Sequence, residues 1–407
     1  MKNSGCGFLK KGFALALSLL FFLSVGTAAF ASQTPELRFR TDGSFKILQL
    51  TDTQDDAYPA WDMLNLLREA VKTADPDLIV ITGDLVEDSR VGDVGVDAQP
   101  GREGVVEKDP DGTLNVEKTR ANVEKAVDAV FSVLEEYEIP YVIALGNNDR
   151  KVGLSTGNWL EIFANYPHCV AFDESPDPQE GLDYHVMIRG TDGADKFNVW
   201  LMDTRGGGIA NEQVDWYRET SQAIAAANGA PVPALAFQHI QAADIGNLFL
   251  PCSPADTGAK KTDDGYVRLN PAIAGGYNFF GYTPGAETYE FGAWKECGDV
   301  LGAFFGHQHV EGFSGVWNGI ELGFTYGCEM AKPGPYGFRV FTLHEEDPAN
   351  YENVLYRYTG SVKLGTVRVT AENTAPAEEK DAGIFTLLLR FVNLFRSLFS
   401  ALVHLFA

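Results

Sequence analysis

The sequence predicts an α/β fold, and three observations predict it. Short apolar segments rich in Val, Ile, Leu and Phe recur at 45–50, 78–82, 141–145, 234–237 and 301–305, each with the length and composition of a strand buried on both faces. Amphipathic helical patterns at 60–72 and 116–137 separate the first three. Polar residues follow the carboxyl end of all five segments.

At the amino end, Lys2, Lys10 and Lys11 precede an apolar run over 13–25 and the small-residue pattern Ala29-Phe30-Ala31. This is the order of a secretory signal peptide, expected over residues 1–31. The chain is therefore expected outside the cytoplasm, secreted or at the extracellular cell surface. Four cysteines follow, Cys169, Cys252, Cys297 and Cys328. Export permits disulfides, with Cys252 and Cys297 the first pair to test, and four separate thiols fit equally well.

In the second helical pattern Val123, Val127, Val130, Phe131 and Leu134 recur at i, i+3, i+4 spacing, which gives one apolar face. Strand, helix, strand, helix, strand then predicts a βαβαβ core with parallel pairing. Segments 184–189 and 196–202 read as neighbouring strands, 212–227 as a helix. Segments 312–317, 320–324, 337–343 and 354–358 read as strands divided by Gly, Asn and Pro turns, the material of a second, largely antiparallel sheet.

Residues 87–115 and 250–296 read as insertions, and loops of that length are usually functional or disordered. The aromatic stretch 275–282 within the second suits a wall over a substrate or a local core. Residues 371–383, with Pro376 and an acidic cluster, read as a linker. Residues 384–407 form an amphipathic pattern carrying Phe385, Leu388, Phe391, Phe395 and Leu398 on one face, with Arg390 and Arg396 inside it. Those arginines disfavour a spanning helix; contact with a membrane surface and packing on the domain are the two expectations. The balance of 32 Lys+Arg against 56 Asp+Glu, net −24, repels polyanions, so no nucleic-acid partner is expected.

The chemistry sits at the strand ends: Asp52 and Gln54, Gly83-Asp84, Gly146-Asn147-Asn148-Asp149, His239, and Gly306-His307-Gln308-His309. In open α/β sheets the loops at carboxyl ends of strands converge on one crevice. Carboxylate, amide oxygen and imidazole are the donors that hold divalent transition metals. A single Gly-Asp or His is ordinary turn or core chemistry; five such groups at five strand ends are not.

These motifs resemble those of the calcineurin-like metallophosphoesterases, over about residues 45–358. Gln213-Val214-Asp215-Trp216-Tyr217 and His309-Val310-Glu311-Gly312-Phe313 look most like the branch related to purple acid phosphatases. The resemblance implies a β-sandwich of two mixed sheets flanked by helices across a domain spanning 32–370. It implies two divalent metal ions, one held by Asp52, Asp84 and His309 and the other by Asp84, Asn147, His239 and His307, with Asp84 bridging. Two such ions lower the pKa of a water between them and clamp phosphate oxygens, so the activity implied is hydrolysis of a small phosphomonoester or phosphodiester by a metal-bridging hydroxide.

Two positions depart from the family pattern and a third from its purple members. Gln54 stands where a first-site histidine is usual; as a neutral oxygen ligand it makes that site weaker and harder, favouring Mn or Fe while still admitting Zn. Asn148 replaces the histidine that assists the leaving group, a contribution of about 10²- to 10⁴-fold. Glu87 occupies the place of a tyrosine found in purple members, so no iron–tyrosinate colour is expected. The candidate catalytic set is Asp84, Asn147, Asn148 and Asp149; the candidate metal set is Asp52, Gln54, Asp84, Asn147, His239, His307 and His309. His168, His185, His344 and His404 read as structural, the first two being able to replace the missing acid only if their loops cover the site. Two functions follow: an exported phosphoesterase, or a catalytically impaired relative acting as a surface binding or scaffold protein.

Overall fold

The computed structural model describes residues 36–55, 59–87, 104–177, 181–273, 275–277, 285–330, 334–359 and 362–370. The segments read from the sequence as a signal peptide, a linker and a C-terminal amphipathic helix lie outside the described residues. Among the described residues no helix is long and apolar enough to cross a membrane.

Two mixed sheets face each other. The first holds, in spatial order, Val362–Thr370, Glu352–Thr359, Tyr336–His344, Ser44–Leu50, Leu78–Ile81 and Tyr141–Ile143. Its last three strands run parallel, joined by the helices Trp61–Ala74 and Val116–Glu135, so the βαβαβ core is present. Every residue of Leu78–Ile81 is buried, as expected of a central parallel strand covered on both faces.

The second sheet runs Leu37–Arg38, Tyr184–Arg189, Asp195–Met202, Ala234–Gln238, Val300–Phe305, Ile320–Phe324, Gly312–Trp317, Gly275–Gly276. Its four central strands pair in parallel, while Gly312–Trp317 and Ile320–Phe324 form a hairpin. The late strands therefore do not build one antiparallel sheet of their own, as the sequence pattern suggests. Gly312–Trp317 and Ile320–Phe324 extend the second sheet; Tyr336–His344 crosses over and pairs antiparallel with Ser44–Leu50 in the first. Period-two patterning identifies a strand but not its neighbour.

The 250–296 insertion carries its own three-stranded antiparallel sheet of Phe249–Pro251, Gly265–Leu269 and Lys260–Thr262, and the helix Tyr289–Cys297. Tyr277 packs edge-on against Phe249 and donates to the Gly258 carbonyl at 2.8 Å, so this member of the aromatic stretch fills a local core. Cys169, Cys252, Cys297 and Cys328 are all free thiols.

A buried polar network ties the sheets together. Arg339, on the first sheet, is fully buried and donates to the Phe324 carbonyl at 2.8 Å, to Asn353 at 2.5 Å and to Thr325 at 3.2 Å. Glu321, on the second sheet, accepts from Ser314, Tyr351 and Asn353 at 2.6, 2.6 and 2.9 Å. Burial lowers the Arg339 pKa to about 10, with Glu321 opposing the shift. Removing one member of a satisfied buried network strands the others. Arg339→Ala or Glu321→Ala should each lower stability by about 3–5 kcal/mol in urea unfolding; a loss below about 1 kcal/mol would show that water replaces the missing partner.

Candidate metal centre

All five polar clusters reach one end of the sandwich, because both parallel strand sets point their carboxyl ends the same way. Thr51 donates to the Asp52 carboxylate at 2.7 Å and to the Thr82 carbonyl at 3.1 Å, joining the loops after the first two strands. The His307 amide donates to Asp52 at 3.0 Å, and the Asn148 amide donates to Asp84 at 2.8 Å. Asp52, Asp84 and His307 all adopt positive φ, near +51°, +49° and +68°. Non-glycine residues held in that region are strained by their surroundings, and such strain concentrates at functional sites.

The motif glycines are explained by close approach. A Cβ on Gly146 would overlap the amide and carboxylate of Asp84, and one on Gly306 would overlap the Thr51 hydroxyl. Both glycines let neighbouring ligand loops pack backbone to side chain.

Two ligand groups result, each with donor atoms within 4.8 Å of one another: Asp52, Asp84 and His309, and Asp84, His239 and His307. Asp84 belongs to both. Asn147 joins the second, since one terminal atom of its amide lies 3.1 Å from His239 Nε2 and 2.7 Å from His307 Nδ1.

The imidazoles are oriented as metal ligands require. His239 Nδ1 lies 2.7 Å from the Thr82 carbonyl, leaving Nε2 3.3 Å from Asp84. His309 Nδ1 lies 2.6 Å from Glu329, leaving Nε2 3.4 Å from Asp52. Such partners on the far nitrogen fix the tautomer and raise ligand basicity. Glu329 also donates its amide to the Asp52 carbonyl at 2.7 Å. Sequence reasoning misses Glu329, because a lone carboxylate in a loop after a strand carries no signal of its own.

The electrostatics fit cations. Asp52 and Asp84 are essentially fully buried, and the Asp52 Oδ1 atom has no hydrogen-bond partner. Burial raises the Asp52 pKa against the pull of His309 and His239. Burial also works to raise Asp84, but the charge and hydrogen bond of His239 leave it lowered. His239 is pushed up to about 10, burial opposing and Asp84 outweighing it. A protonated imidazole thus supplies the positive charge beside Asp84 that a bound cation would supply. His307 is pushed down to about 4, by burial and then by His239, which keeps its lone pair available. The Asn147 amide oxygen lies 3.1 Å from His239 Nε2 and its nitrogen donates to Asn148 Oδ1 at 2.9 Å, the orientation that ligation requires.

The remaining candidates divide. Asp149 accepts from the amides of Leu85 and Val86 at 2.8 and 3.2 Å and of Gly146 at 2.8 Å, so it positions two ligand loops against each other. Gln54 donates to Glu87 at 3.1 Å and accepts from Asn148 at 3.0 Å; its amide is engaged by the other two departing residues. His168 pairs with Glu135 at 2.5 Å, and its carbonyl accepts from the amide that starts the Tyr141–Ile143 strand, away from that strand's ligand-bearing end. His185 bonds Asn198 at 3.0 Å. Neither replaces the missing acid.

A family model for the calcineurin-like phosphoesterases matches residues 45–311. The chain belongs to that family. Among curated proteins it is 26% identical over 394 residues to probable inactive purple acid phosphatase 14 of Arabidopsis thaliana, covering 86% of each chain. It is 24% identical over 362 residues to probable inactive purple acid phosphatase 28 of the same plant, covering 75% of this chain and 73% of that one. Among solved structures it is similar to a dimetal phosphatase of Danio rerio, with TM-score 0.46, 13% identity and coverage of 81% of this chain and 99% of that one. Family and donor sets together imply two metal ions, and Asp84 is common to both donor sets.

Metal binding must displace the His239 proton, since ligation uses the neutral ring. Calorimetric titration with Mn²⁺ at pH 7 in buffers of different ionisation enthalpy should report release of about one proton per chain; no buffer dependence would contradict the protonated His239. Asp84→Ala should abolish binding at both sites, and elemental analysis that still finds one tightly held metal would show that the sites are independent.

Proposed function

We propose that this protein is an exported, metal-dependent phosphoesterase acting on small phosphomonoesters or phosphodiesters. The observation that carries the reading is the sharing of Asp84 between two ligand groups. Bound there, two cations supply Lewis acidity toward phosphate oxygens and a nucleophile at neutral pH. Mn or Fe suits the first site best, because carboxylates dominate it and Gln54 stands in the place of an imidazole.

The chain's own groups prepare that chemistry. Asp84 would be shared by the two cations, and the Asn148 amide fixes one of its oxygens. Thr82 and Glu329 hold the His239 and His309 rings in their ligating tautomers. Asp149 clamps the Asp84 and Asn147 loops through three amide hydrogen bonds. The acidic surface disfavours polyanionic substrates. The signal-peptide pattern supports action outside the cytoplasm, and the amphipathic C-terminal segment supports contact with a membrane surface.

A second reading has its own support: a metal-bound protein without turnover. Gln54 and Asn148 are engaged with each other rather than presented as imidazoles, and the relatives at 26% and 24% identity are named as probably inactive. Hydrolysis of an aryl phosphomonoester and diester by the Mn-loaded full chain decides between them. Metal-dependent turnover lost in His307→Ala supports the enzyme; two bound metals without turnover of either ester support the binding protein.

Because Gln54 and Asn148 bond directly, their substitutions should couple. The double variant Gln54→His/Asn148→His should raise the rate on an alkyl phosphate by about 10²-fold or more, and more than the two single variants combined. Simple additivity would show that the pair does not act as a unit.

A further inference from the structure

The two departures from the family pattern, Gln54 and Asn148, and the departure from its purple members, Glu87, are one structure. Glu87 Oε2 accepts from Gln54 Nε2 at 3.1 Å, Gln54 Oε1 accepts from Asn148 Nδ2 at 3.0 Å, and Asn148 Oδ1 accepts from Lys151 Nζ at 2.9 Å. Each donor along the chain faces the same direction, so a buried carboxylate stands at one end and an ammonium at the other. Glu87, Gln54 and Asn148 are all buried, while the Lys151 residue is exposed. The ammonium is thus delivered from solvent to the rim of the metal centre.

The local fold accounts for the placement. Asn147–Lys151 is a single short helix, and residues three apart lie on one face, which puts Lys151 beside Asn148. Its Nζ lies 3.2 Å from the Asn147 amide, and its charge helps lower the His307 pKa. The adjacent Arg150 is committed to Asp203 and Thr156. His168 and His185 are held by Glu135 and Asn198.

We propose that Lys151 is a substrate-contacting residue, its ammonium donating to an oxygen of the bound phosphoryl group at the position where the family pattern has an imidazole. Glu87, Gln54 and Asn148 are positioning residues: the first anchors the chain, and Asn148 turns its oxygen toward Lys151. The ligand class is a phosphate or phosphate ester, because a compact ammonium beside a two-cation centre recognises a multiply charged oxyanion as a point charge. In a chain of net charge −24, a cation held at this rim also offsets local repulsion of an anionic substrate. The proposal rests on the dimetal reading of the site, yet it concerns binding and so is separable from turnover.

The test uses the Mn-loaded full chain with inorganic phosphate as the probe, comparing the parent with Lys151→Met and Lys151→Arg. Metal content by elemental analysis should match the parent in both. Calorimetric phosphate affinity should fall about tenfold or more in Lys151→Met and return to within about threefold of the parent in Lys151→Arg. Equal phosphate affinity in parent and Lys151→Met, with metals retained, overturns the proposal and leaves the dimetal reading intact. A parent that binds phosphate through Lys151 but hydrolyses no ester removes the enzymatic reading and supports this contact. A metal-loaded parent that binds no phosphate overturns both.

Discussion

Two buried carboxylates set the terms for this site. Asp52 and Asp84 are withdrawn from water at the edge where both sheets end, and both belong to ligand groups whose donor atoms lie within 4.8 Å. Like charges that close in a desolvated place oppose folding unless positive charge joins them. Much of the surrounding structure answers that demand: amides from His307 and Asn148, the Thr51 hydroxyl, and a histidine that holds a proton beside Asp84. Cations answer it more completely, and the donor set is theirs.

The support for this arrangement reaches across the sandwich. Arg339 donates to Thr325, Thr325 bonds Gln49 at 2.7 Å, and Gln49 donates to Thr82 at 3.1 Å. The Thr82 carbonyl in turn holds His239. A buried hydrogen-bond path thus runs from the network between the sheets to a metal ligand, so the rigidity of the fold and the aim of the imidazole share one set of contacts. Networks of this kind specify a single arrangement when every member is satisfied.

Much of this was legible in the sequence, and the exceptions share a cause. Buried strands announce themselves through apolar runs, and strand-end position gave Asp52, Asp84, Asn147, His239, His307 and His309 a common address. Tyr336–His344 was legible as a strand but not as a member of the first sheet, because the choice of neighbour depends on long-range packing. Glu329, Thr82 and Lys151 act through contacts between segments distant in sequence or through a single helical turn, and their residue types are ordinary in loops. The departures at Gln54, Glu87 and Asn148 could be read one by one; their hydrogen bonds to one another exist only once three loops meet.

One shared carboxylate, Asp84, is expected to organise two cation positions. Crystals of the full chain soaked in Mn²⁺ test it through anomalous scattering. Two peaks per chain are expected, one among Asp52, Asp84 and His309 and the other among Asp84, Asn147, His239 and His307. A single peak, or peaks that leave Asp84 uncoordinated, would contradict it.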